Sequence, residues 1–140
     1  MKDLRTAFQT LRTQSQGAID PGVTPLTLVL PTDAVDALST PSDFGNSVRE
    51  WLNENYPNIR IVAAPQLNNA SAGENVFYVF ADNVGEGSTD DGRTVTQIVP
   101  VRSKLLGAQQ MVKSYMEDYS NATAGIMIKR PFAMVRFMGI

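Results

Sequence analysis

Leu4, Ala7, Phe8 and Leu11 recur at i, i+3, i+4 and i+7, one apolar stripe that predicts a helix over residues 2–16. Lys2, Arg5 and Arg12 lie off that stripe, and Gly17 with the Asp20-Pro21-Gly22 turn marks its end. The spacing then contracts to a short apolar run, Pro25-Leu26-Thr27-Leu28-Val29-Leu30, closed by Pro31, which reads as a buried strand. Thr32 or Asp33 can cap a short helix through about Leu38, with Ala34, Val35, Ala37 and Leu38 as its apolar positions. After the loop 39–45, Val48, Trp51 and Leu52 face inward on a helix from about Ser47 to Asn55. Trp51 on that face reads as a core residue.

Two further strands follow, Ile59–Ala64 and Val76–Ala81, separated by the polar loop 66–74. Residues 82–92 form a turn-rich acidic loop, and residues 94–101 read as a strand broken near Pro100. Residues 104–110 are ambiguous. Met111, Tyr115 and Tyr119 share one parity, which favours an extended segment over 111–119, with a helix as the alternative and a turn at 120–123. The closing stretch from Ala124 to Ile140 is the most apolar part of the chain. Both parities, Ile126-Ile128-Phe132-Met134 and Met127-Ala133-Val135-Phe137, are largely apolar, so this stretch, a central strand or a pair of strands, is expected to be covered on both faces. Pro131 donates no N–H and therefore belongs at a bulge, an edge or a join between two short strands.

Composition narrows the chemistry. The chain has 140 residues, 43% hydrophobic and 19% charged, which fits one folded domain with room for two lobes. No apolar run is long enough to cross a bilayer, and the first residues lack the apolar centre of a signal peptide. There is no cysteine, which excludes disulfides and thiol chemistry. There is no histidine, which removes the commonest general base and transition-metal ligand. Charge is uneven: net +2 over residues 1–19, −9 over 20–91 and +5 over 92–140. The similar ends and different middle suggest an acidic lobe inserted between terminal segments that meet in a second lobe.

Candidate sites are few. Gly85-Glu86-Gly87 and Asp90-Asp91-Gly92 lack the alternate-residue ligand spacing of a calcium loop and the Gly-Lys-Ser/Thr ending of a phosphate loop, so they read as a solvated loop. Asp33 with Asp36, and Glu50 with Glu54, read as solvated helix faces. No Gly-x-Ser-x-Gly elbow exposes a nucleophile. Lys129, Arg130 and Arg136 lie within the apolar closing stretch, where bases pair with carboxylates, line a subunit contact or bind a phosphate backbone. No catalytic, cofactor or metal site is expected.

The residues Asp118–Ile140, with their Gly, β-run, Arg130-Pro131 step and terminal Gly-Ile, resemble the C-terminal end of tailed-phage major capsid proteins. Thr27-Leu28-Val29-Leu30-Pro31 followed by a short helix looks like that family's strand into its axial lobe, and helix 2–16 like a shortened spine helix. The resemblance implies the Hong Kong phage-type capsid fold shared with encapsulins. This is an α+β, two-lobed fold with a peripheral lobe of spine helix plus antiparallel sheet and an inserted axial α/β lobe. The expected division is 1–24 and 95–140 for the peripheral lobe and 25–94 for the axial lobe. The family's N-terminal arm and long extended hairpin have no counterpart here, so the chain is expected to be the C-terminal part of a longer capsid protein or a shortened relative.

The implied function is that of a non-enzymatic virion subunit. Its partners would be other copies of itself, in pentamers and hexamers of an icosahedral shell, and packaged DNA bound non-specifically, with no membrane. Its place would be the capsid, and the bacterial host cytoplasm during assembly. Arg130, Arg136, Lys129, Glu86, Asp90 and Asp91 are the candidate subunit contacts. The alternatives are a phage head-completion or tail adaptor protein, and a small α/β ligand-binding or enzyme domain.

Overall fold

A computed structural model describes residues 2–41, 45–85 and 89–139. The chain forms two compact units, one of Met1–Thr94 with Arg130–Ile140 and one of Val95–Lys129.

The larger unit is built on a four-stranded sheet. Its strands are β1 (Leu26–Leu30), β2 (Ile59–Ala63), β3 (Val76–Ala81) and β8 (Met134–Met138), in the order β2-β1-β3-β8. β1 and β2 are parallel, and the other two pairings are antiparallel. A parallel pair needs a crossover. It is supplied here by helices α2 (Thr32–Ala37) and α3 (Val48–Asn55). Helix α1 (Lys2–Gln14) buries Leu4, Ala7, Phe8 and Leu11, the stripe read from the sequence, against β3, β8 and the 3-10 turn Pro131–Ala133. Across the sheet, Leu28 opposes Val79 and Val79 opposes Val135, and all three are buried. This row and the α1 stripe belong to one hydrophobic cluster.

Local chemistry fixes the ends of the helices. Gly17 takes φ +83°, a left-handed conformation, and its N–H donates to Arg12 O at 3.1 Å, closing α1. Ser47 caps α3. Its hydroxyl accepts from Glu50 N–H at 3.2 Å, and the Glu50 carboxylate accepts from Ser47 N–H at 2.9 Å. Trp51 is half-buried, with Arg5 over its ring at 5.1 Å and Tyr56 edge-on at 5.5 Å.

The smaller unit has two antiparallel ribbons. β4 (Val95–Ile98) pairs with β7 (Gly125–Ile128), and β5 (Val101–Gln110) pairs with β6 (Tyr115–Ala122). The ambiguous 104–110 is therefore strand. The reversal falls at 111–114, where Met111 N–H donates to Ser114 O at 2.7 Å, and not at 120–123.

The expected lobe boundaries differ from this division. Residues 130–140 and helix α1 join strands 26–81 in one unit, instead of forming a separate lobe with 95–129. The reason is burial. Val135 and the α1 stripe fill the same core as Leu28 and Val79, whereas the charge pattern reported only on solvated side chains. Of the two expectations for the closing stretch, one strand or a pair, the structure has the pair. The stretch splits at the Pro131 turn, so of the bulge, edge or join open to that proline the join is the one observed. β7, before the turn, is exposed along its whole length.

Candidate assembly surface

The smaller unit buries none of its described side chains. In the β5–β6 hairpin every residue is exposed except Val101 and Ser120, which are half-buried. The ladder sorts its residues by face. Tyr115 opposes Gln110, Glu117 opposes Ala108 and Tyr119 opposes Leu105, so Leu105, Ala108, Gln110, Tyr115, Glu117 and Tyr119 share one side. Tyr115 is 73% exposed and Tyr119 62%, which leaves two large rings in water. A two-stranded hairpin is at best marginally stable alone in water, so a face like this one gains from being covered. Tyr119 Oη donates to Glu117 Oε2 at 2.7 Å, and this bond to the carboxylate raises the phenol above its usual 10.0.

The charged candidates fall into two groups. Arg130 is largely covered, with 15% of its side chain exposed. Its Nη2 donates to Asp90 Oδ1 at 2.6 Å and its Nη1 donates to Arg93 O at 2.8 Å. Asp90 Oδ1 also accepts from Gly92 N–H at 2.9 Å. Asp91 Oδ2 lies 3.8 Å from Arg93 Nε. These residues are thus engaged within the chain. Arg136 is different. It stands exposed on β8 opposite Tyr78, with no acidic group at ion-pair distance among the described residues. Lys129 is half-buried, and Glu86 lies outside the described residues.

Sequence reasoning named Arg130 and Asp90 separately and missed that they meet. Forty residues separate them, and no local pattern reports a contact of that range. It also missed the Leu105–Tyr119 face, although the shared parity of Tyr115 and Tyr119 carried the signal. No group of three or more acidic side chains among the described residues could hold a metal ion. A cleft between Ala18-Ile19, Val23–Pro25 and Asn83–Gly85 is lined by no titratable side chain. No helix among the described residues is long and apolar enough to cross a membrane.

Residues 1–139 match the family model described as Pa193 gp26 major capsid protein. The chain belongs to that family. No curated protein matches this capsid-family sequence. Among solved structures, the chain is similar to one titled the capsid of Myoviridae phage XM1, at a TM-score of 0.70 and 14% identity over 99% of this chain and 45% of the other. It is also similar to a virus-like particle from Pyrococcus furiosus, at a TM-score of 0.54 and 19% identity over 97% of this chain and 49% of the other. At these identities the likeness establishes the fold, an α+β capsid fold of the Hong Kong phage type. The capsid-family chain spans less than half the length of either solved chain.

Proposed function

We propose that this chain is part of a non-enzymatic major capsid subunit that self-associates into an icosahedral shell enclosing DNA. The observation that carries the reading is the match of residues 1–139 to a major capsid family, on a fold shared with a phage capsid. In this reading the subunit lies in the virion, after assembly in the bacterial host cytoplasm. Its partners are further copies of itself in five- and six-fold groups, and packaged DNA held through salt-dependent phosphate contacts. The larger unit, which holds the strands and helices of 26–81, is the axial lobe. Arg136 and Lys129 are contact candidates, and the Leu105–Tyr119 face, two exposed tyrosines and a leucine beside Gln110 and Glu117, is a surface to be covered in the shell. Such interfaces are individually modest, and symmetry closes them into a stable particle.

Sedimentation of the full-length gene product tests the reading. Large particles of uniform size support it. A product that stays monomeric across protein concentration and salt contradicts it.

A further inference from the structure

The chain leaves the larger unit after Thr94 and re-enters it at Arg130, so the two crossings to Val95–Lys129 lie where Arg130 Nη1 meets Arg93 O at 2.8 Å. The departing side is stitched to its own unit by one antiparallel bridge, Asn83 opposite Arg93. Its two backbone bonds run from Val84 N–H to Gly92 O at 2.9 Å and from Thr94 N–H to Asp82 O at 3.2 Å. The returning side begins with Arg130, whose own carbonyl accepts from Ala133 N–H at 3.0 Å and starts the turn into β8. The Arg130 guanidinium joins the two sides. It holds the Asp90 carboxylate with one nitrogen and the Arg93 carbonyl with another, a planar fork reaching two acceptors at once.

We infer that Arg130 is a clasp, a positioning residue that fixes loop 89–93 to the returning chain where Val95–Lys129 departs, and that its charge serves this internal bond rather than a subunit contact. The inference stands apart from shell formation, since every atom it uses belongs to one chain. It also explains why a cation in an apolar stretch is mostly covered: the Asp90 charge and the Arg93 carbonyl replace the water it has lost.

Hydrogen exchange on the full-length, unassembled protein tests it, with Arg130→Gln, Arg130→Lys, Asp90→Asn and the double variant Arg130→Gln/Asp90→Asn. Asn at 90 keeps an oxygen for Gly92 N–H while removing the charge. Loss of the clasp is expected to speed exchange at the amides of Val84 and Thr94 by roughly tenfold. The amides of Leu28 and Val79 in the central strands should keep their protection. The double variant should be no faster than Arg130→Gln alone, because that change already removes the Asp90 bond, whereas Asp90→Asn leaves the bond to the Arg93 carbonyl. Arg130→Lys, which keeps the charge but not the fork, should fall between. Wild-type exchange at Val84 and Thr94 in the single variants, with or without a loss of assembly, overturns the inference. So does acceleration spread equally over Leu28 and Val79.

Discussion

Phe77 and Phe137 stack with ring centroids 5.3 Å apart and planes 24° apart, directly opposite each other where β3 pairs with β8. This contact draws the end of the chain into the sheet of the larger unit. Phe137 lies beside Val135 in a strand that, among the described residues, pairs with β3 alone. Replacing Phe137 with Ala removes the stacked ring and the area it covers, which should cost about 2–3 kcal/mol. Urea unfolding measures this as a lower midpoint at unchanged slope. Phe137→Leu, which keeps much of the apolar area, should lose less.

The Ser47–Glu50 box gives a second, local test. Ser47→Ala leaves Glu50 N–H without its cap and should destabilise the larger unit by about 1 kcal/mol. Thermal melting followed by circular dichroism reads this as a drop of a few degrees. Ser47→Asp restores an oxygen acceptor and should recover most of it.

Asp20 supplies a pH test with a definite sign. The backbone N–H of Gly22 and then the Arg12 guanidinium, 3.0 Å away, hold its carboxyl below the usual 3.8. A carboxyl depressed in the folded state contributes stability that is present above the unfolded pKa and lost as pH falls through the folded one. Arg12→Gln should raise the Asp20 pKa only part of the way, because the Gly22 N–H remains. Carboxyl titration by NMR separates the two causes. A full return to the unperturbed value would assign the whole effect to Arg12.

Much of the larger unit was legible in the sequence because its signals are local. The Leu4-Ala7-Phe8-Leu11 stripe, the Pro-bounded Leu26–Leu30 run and the Ser47-x-x-Glu50 cap each act within a few residues. The partner of the closing stretch was not legible. Ile126 and Val135 are similar apolar strand residues in sequence. Yet β7 pairs with β4 and stays exposed, while β8 joins β3 and buries Val135. Which strand an apolar run pairs with is decided by contacts across the whole chain, and charge runs carry no information about it. The Arg130–Asp90 bond was hidden for the same reason: each residue alone resembles an ordinary surface charge.

The exposed hairpin face should be needed for assembly and dispensable for the fold of the larger unit. Leu105→Asp and Tyr119→Ser remove apolar area at two opposed positions. Each should raise the protein concentration at which full-length subunits assemble by roughly tenfold or more, the equivalent of about 1.4 kcal/mol per contact. Light scattering against concentration measures this. The urea midpoint of the larger unit should not move.

The central claim is that this chain helps to build a closed shell. Electron cryomicroscopy of the particles formed by the full-length protein tests it most directly. The account predicts closed icosahedral shells into whose density the four-stranded sheet of the larger unit fits repeatedly around five- and six-fold axes. Open rings or tubes, or a field of single subunits under every assembly condition, would contradict it.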